Sequence, residues 1–206
     1  MSKKNFDVVV YGATGFTGKL VVEYMLNQYG DDETISWAMA GRSHEKLVAV
    51  RDTLGVSKDV PLLTVDSDDE ESITQMVQQT QCVLTTVGPY QLYGPNIVKQ
   101  CVAHGTDYVD LCGEPGWMHE MINEHAAQAK ETGARIVFSC GFDSIPFDLG
   151  VYFLQKEVIA QHPEHRESIE LFVKYMKNSI NMATVLIALI TIFGGILMYY
   201  RHGIEG

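Results

Sequence analysis

Short apolar runs alternate along this chain with segments whose apolar positions recur every three or four residues. Phe6–Tyr11 is a Val-rich buried-strand pattern with a glycine immediately after it. Residues 17–29 place Leu20, Val21, Tyr24 and Met25 at helical spacing. Residues 35–40 are a second strand pattern. Ser43 then stands where a helix N-cap would, and Gly55 where that helix would stop. Residues 61–65 read as a short third strand. Residues 69–79 read as a helix whose acidic first turn suits the helix dipole. The second half repeats the scheme, with strands predicted at 82–87, 106–111 and 135–140. Its helices are predicted at 95–104, at 115–132, and from Ser144-Ile145-Pro146 to about 156. Pro95 near a start and Gly105 after an end fit the usual placement of these residues. Six strands with helices between them predict an α/β fold, a doubly wound and mostly parallel sheet covered on both faces. Residues 169–173 could form a further strand, but nothing specifies its partner.

The polar pattern breaks after residue 179. Residues 182–200, MATVLIALITIFGGILMYY, are 19 positions without a charged side chain. As a helix they would span roughly 28 Å, close to a hydrocarbon core of about 30 Å. Lys174 and Lys177 precede them, and Tyr199, Tyr200 and Arg201 follow, as residues do at a membrane interface. A C-terminal hydrophobic helix in a membrane is therefore predicted over 180–201. It either spans as a tail anchor, with the body on the cytosolic side, or bends at Gly194-Gly195 for a shallow insertion. The division expected is 1–157 as the main domain, 158–179 as connector and 180–201 as the membrane element.

Charge sharpens this division. Lys and Arg number 15 against 26 Asp and Glu, a net charge of −11. Residues 180–206 hold only Arg201 and Glu205, so the body carries all of it. An acidic body argues against nucleic acid as a partner, because phosphate contacts need basic groups. The four cysteines form no C-x-x-C pair and have no His at metal spacing, which fits small buried side chains in a reducing compartment. No metal site is expected, and no secretory signal is read at the first residues.

The candidate chemistry begins after the first strand. Gly12-Ala13-Thr14-Gly15-Phe16-Thr17-Gly18 is a G-x-x-G-x-x-G variant of the dinucleotide fingerprint. Gly12 would make the tight exit from the strand and Gly15 would let the backbone approach a pyrophosphate. Gly18 would allow close packing of helix on strand. The helix that follows offers free N–H groups and a positive dipole end to phosphates. The second strand ends Ala40-Gly41-Arg42-Ser43, without the carboxylate that binds the ribose hydroxyls of NAD. Arg42 can pair with a 2′-phosphate, helped by Ser43 and Lys46, so NADP(H) is the predicted cofactor. Asp66, at the third strand's end, would lie near the adenine, or else cap the next helix. Val87, Gly88 and Pro89, after the fourth strand, would line the cofactor's central region. Tyr90, Asp110, Glu114 and Asp143 are the polar groups available near a nicotinamide, each with an alternative as a cap or loop anchor. None is assigned as catalytic.

These segments resemble the saccharopine dehydrogenase-like oxidoreductases. The resemblance is carried by the glycine run and Ala40-Gly41-Arg42-Ser43. It is carried further by Val87-Gly88-Pro89-Tyr90 with Tyr93-Gly94, Tyr108-Val109-Asp110-Leu111-Cys112-Gly113-Glu114, and 141–150, GFDSIPFDLG. It implies a Rossmann-type NADP-binding domain and hydride transfer. It also implies relatives that act as trans-acting enoyl reductases in bacterial lipid synthesis, or reside at lipid droplets or membranes in animals. A lipid-related substrate and a membrane or lipid-droplet surface are the partners it suggests. In the family a second, substrate-facing domain follows the last of these motifs. Here only some twenty residues separate about residue 156 from the hydrophobic stretch, so most of that domain is expected to be missing. A membrane-anchored nucleotide-binding or scaffold protein without turnover is the rival expectation. A homodimer through an exposed edge is a further one, with no residue assigned to it. No Arg clamp for the carboxylates of saccharopine is evident.

Overall fold

The computed structural model describes residues 4–30 and 34–161. Its strands are β1 (Phe6–Tyr11), β2 (Trp37–Gly41), β3 (Leu62–Thr64), β4 (Thr80–Thr85), β5 (Asp107–Val109) and β6 (Ile136–Val137). All pair in parallel, in the order β3-β2-β1-β4-β5-β6. This is the Rossmann order, as the alternation of strand and helix patterns predicts. The connecting helices are α1 (Phe16–Tyr29), α2 (His44–Leu54), α3 (Glu70–Gln79), α4 (Tyr90–Ala103) and α5 (Pro115–Thr132). Residues 1–138 form one compact unit, and residues 139–206 belong to a second, whose described part holds α6 (Ile145–Gln161). The apolar stretch 182–200, the strand pattern at 169–173 and most of the connector lie outside the described residues. Among those described, no helix is long and apolar enough to cross a membrane.

The strand period of two sorts side chains into two cores. Val9 and Tyr11 join Ala38, Ala40, Val83 and Tyr108 in one core, together with Ile73 of α3, Ile97 of α4 and Trp117 of α5. Val10 joins Met39, with Val22 and Met25 of α1 and Leu47 of α2, in the other. The register explains this, because Val9 stands beside Ala38 and Val83, and Val83 beside Tyr108. Each fully buried Val, Leu, Ile or Met contributes roughly 1.5–3 kcal/mol through burial. The winding reverses between β1 and β4. Loops leaving their carboxyl ends therefore part and open a crevice there.

Several elements differ in their bounds from the sequence expectation, β4 lying at Thr80–Thr85 and α6 running on to Gln161, and three of the differences have a visible cause. Helix α4 begins at Tyr90, not near Pro95, which lies inside it. The start is set from elsewhere in the chain: the Glu114 carboxylate accepts from the N–H groups of Tyr90 (2.8 Å) and Gln91 (2.9 Å). Pro95 then leaves only the exposed Gln91 carbonyl without its helical donor, where water can serve it. β5 is shorter than 106–111, because Asp110 turns the chain by accepting from the Cys112 N–H at 3.0 Å. β6 is shorter than 135–140, and Ser139 follows it with φ 58, a left-handed conformation that no strand continues through.

Candidate functional site

The turn after β1 is built by its glycines. Gly12 has φ +91, and a Cβ there would meet Thr86 Oγ1 at 2.7 Å and Val87 Cγ2 at 2.9 Å. Only glycine suits both the conformation and the space. The turn is pinned on two sides. Gly12 N–H donates to Ala40 O at 3.0 Å, and Gly15 N–H to Gly12 O at 2.9 Å. Gly18, the third glycine, lies against the first, since a Cβ on it would stand 2.0 Å from Gly12 O. Helix α1 therefore starts hard against the turn. Its N-cap is Gly15, with no side-chain cap and no acidic residue in the first turn. By contrast, Ser43 caps α2 and Asp69 caps α3. Glu114 closes the start of α4. Helices α1 and α5 both start without a side-chain cap or an acidic residue in the first turn, and it is the α1 start, at Gly15, that lines the neighbouring pocket.

A pocket of about 250 Å³ opens at this turn. The β1 end supplies Tyr11, Gly12, Thr14 and Gly15, and the β2 end supplies Gly41, Arg42, Ser43 and Lys46. Ser67 comes from beyond β3, Thr86, Val87 and Gly88 from beyond β4, and Tyr93 from the first turn of α4. Arg42 and Lys46 are exposed, and their side chains have no hydrogen-bond or ion-pair partner among the described residues. The Ser43 hydroxyl accepts from Lys46 N–H at 3.3 Å and donates to Glu45 at 3.0 Å. Tyr11 is 1% exposed. Burial pushes its phenol up to about 12, so it stays neutral, with Ser67 as its hydrogen-bond partner.

Of the residues singled out in the sequence, Gly12, Thr14, Gly15, Arg42, Ser43, Lys46, Val87 and Gly88 line this pocket together. Ala13 is buried beneath the turn and Phe16 is 62% exposed at the start of α1. Thr17 and Pro89 are absent from the lining, and Gly18 packs on the far side of the turn. Asp66 is absent from the lining. Its carboxylate accepts from Asp68 N–H at 3.1 Å, and its neighbour Ser67 stands on the wall instead. Ser67, Tyr11 and Tyr93 were not legible as site residues. Ser67 lies three positions beyond the end of β3, Tyr11 hides in an apolar run, and Tyr93 needed the true start of α4.

Three of the four polar groups expected at the nicotinamide edge, Tyr90, Asp110 and Glu114, are committed to structure. Tyr90 is buried, and its hydroxyl donates to Thr85 O (3.3 Å) and accepts from Leu111 N–H (3.4 Å). Burial, reinforced by the Asp110 charge, pushes its phenol far above the usual range. Asp110, 3% exposed, accepts from the Tyr108 hydroxyl at 2.7 Å. Glu114 holds the start of α4. Burial pushes the Cys112 thiol up to about 12, so it is no thiolate nucleophile. Asp143 lies in the second unit.

Residues 8–137 match the family model of the saccharopine dehydrogenase NADP binding domain. The chain belongs to this family. It is 47% identical over 158 residues to the trans-acting enoyl reductase of Mycobacterium leprae, covering 76% of this chain and 37% of that protein. It is 47% identical over 156 residues to the lipid droplet localized protein of Caenorhabditis elegans, covering 73% and 36%. The chain thus spans little more than a third of the length of these curated relatives. Among solved structures, the apo saccharopine dehydrogenase (L-Glu forming) of Saccharomyces cerevisiae has a TM-score of 0.61 at 17% identity. The match covers 75% of this chain and 32% of that one, and it shows a shared fold. The cofactor of this domain is NADP(H). The pocket fits it: a turn with glycine at 12 and 15 under an uncapped helix end, beside two cationic side chains without partners among the described residues, and no carboxylate in the lining.

Proposed function

We propose that the protein is an NADP(H)-dependent oxidoreductase acting on a lipid-related substrate at a membrane or lipid-droplet surface. Bound there, the cofactor would supply or accept a hydride. The chain's own residues would bind and orient it. The backbone of Gly12 to Gly15 and the open end of α1 would hold the pyrophosphate. Arg42, with Lys46 and Ser43, would take the 2′-phosphate through charge-assisted hydrogen bonds. Ser67 and Tyr11 would face the adenosine, and Val87 and Gly88 would flank the middle of the cofactor. The observation that carries the reading is the pair of unpaired cations, Arg42 and Lys46, beside the glycine turn. The lipid-related substrate is supported by the names of the enoyl reductase and lipid-droplet relatives. The surface is supported by the uncharged run 182–200.

A binding protein without turnover is the second reading. It is favoured by Tyr90, Asp110 and Glu114, the candidate proton-transfer groups, which are already engaged in holding loops. The experiment is NADPH oxidation by the full chain in detergent with enoyl and carbonyl lipids. Steady oxidation excludes the binding-only reading, and bound NADPH without turnover across both lipid classes refutes the oxidoreductase one. Separately, the full chain should stay in the membrane pellet after alkaline washing; its release would sink the membrane assignment.

A further inference from the structure

We propose that Glu114 is a positioning residue for the cofactor: from the loop between β5 and α5 it fixes the shape of the loop between β4 and α4. The inference rests on the reading of the pocket as the NADP(H) site. Its two carboxylate oxygens each take one amide, Oε1 from Tyr90 at 2.8 Å and Oε2 from Gln91 at 2.9 Å. These are the first two N–H groups of α4, and Pro89 at its N-cap brings no side-chain acceptor. Orphan donors at a helix start need an outside partner, and a carboxylate there also opposes the positive dipole end. Residues 86–89 are therefore held at both ends. At the strand end, Val87 N–H donates to Thr85 Oγ1 at 3.2 Å. At the helix end, the Glu114 clamp and the Tyr90 hydroxyl, bonded to Thr85 O and Leu111 N–H, close the loop.

The clamped loop is a wall of the pocket. Val87 and Gly88 line it, and Val87 Cγ2 presses on Gly12, only 2.9 Å from where a Cβ would stand. A shift of this loop moves the wall and loosens the glycine turn together. Glu114 thus acts on NADP(H) through backbone geometry, without touching it. Its carboxylate is occupied by two charge-assisted hydrogen bonds, which separates it from a proton-donor role.

The test is the NADPH dissociation constant of the full chain in mild detergent, by NADPH fluorescence, with melting midpoints of the cofactor-free protein alongside. Glu114→Ala should weaken binding about tenfold or more. Glu114→Gln, which keeps one acceptor oxygen, should fall between Glu114→Ala and wild type. Glu70→Ala is the structural control. Glu70 ties α3 to the other half of α4 by accepting from Lys99 Nζ (2.8 Å) and Gln100 Nε2 (2.7 Å), away from the pocket. It should lower the melting midpoint and leave the NADPH constant within about twofold. Wild-type binding in both Glu114 variants overturns the inference. So does equal weakening by Glu70→Ala, which would reduce Glu114 to helix stability. If Glu114→Ala fails to fold, Glu114→Gln against Glu70→Ala decides the matter in the same way. A wild-type chain that binds no NADPH overturns the pocket reading, and the inference with it.

Discussion

Gly18→Ala separates helix propensity from packing at the cofactor turn. Alanine inside a helix is favoured over glycine by about 1 kcal/mol, so propensity alone predicts stabilisation. The neighbours of that site predict the opposite. A Cβ on Gly18 would stand 2.0 Å from Gly12 O, 2.7 Å from Gly12 C and 2.9 Å from Ala13 Cα. All three are backbone atoms and cannot rotate aside. Ordinary contact begins at 3.4 Å, so the start of α1 must move off the turn by roughly 1.4 Å, the difference of 3.4 and 2.0 Å. Overpacking of this kind costs about 1–3 kcal/mol even where side chains can yield. Because these backbone atoms cannot yield, the cost falls in the upper part of that range, about 2–3 kcal/mol, which leaves a net loss of about 1–2 kcal/mol after the propensity gain and a melting midpoint lower by about 2–8 °C for a chain of this length. The same shift moves the N–H groups that would face the pyrophosphate, so NADPH affinity should fall about tenfold or more. Thermal melting and an NADPH titration of the variant check both. A higher melting midpoint with unchanged NADPH affinity would refute the reasoning.

Gly15→Ala is the complementary case: its Cβ meets only Gly12 O, at 3.3 Å, so stability should change by less than about 0.5 kcal/mol while NADPH binding weakens. Equal NADPH affinity in that variant would show that no phosphate comes close to Gly15. Acid sensitivity should come partly from Asp107, which sits far from the pocket at the start of β5. Burial alone would push its carboxyl up, but the hydrogen bonds and charge of Arg135 outweigh that and hold it below the usual 3.8. A folded value below the unfolded one gives stability that is present above the unfolded value and lost as pH falls through the folded one. Denaturation midpoints of wild type should therefore fall more steeply below pH 4 than those of Asp107→Asn; equal slopes would contradict the assignment. Ser43→Ala should cost about 1 kcal/mol by uncapping α2, read from urea denaturation, and no change would mean that the cap contributes nothing.

The sheet was legible because Val-rich runs and helical spacing alternate with almost no gap, and winding rules leave few arrangements for six such strands. The glycine turn was legible because its position between β1 and α1 gives each glycine a job. Arg42 was legible as the residue at the strand end where a carboxylate would mark NAD. The start of α4 was not, because its cap comes from Glu114, more than twenty residues downstream. Local sequence rules favour Pro95 near a helix start, and a long-range carboxylate overrode them. The lengths of β5 and β6 were missed for a similar reason. Asp110 turns toward its own backbone and Ser139 takes a left-handed conformation, and neither interrupts the apolar pattern. Ser67 and Tyr11 reach the pocket only through the register of β1, β2 and β3, which a linear pattern does not state.

The central claim is that Arg42 and the glycine turn make this an NADP(H) site. Its most direct test is a fluorescence titration of the full chain in detergent with NADPH and NADH, with Arg42→Ala alongside. Wild type should prefer NADPH. Arg42→Ala should lose about tenfold to a hundredfold in NADPH affinity, the worth of a charged hydrogen-bonded contact, and leave NADH affinity unchanged. Equal binding of the two nucleotides, or an NADPH preference that survives in Arg42→Ala, would contradict the account.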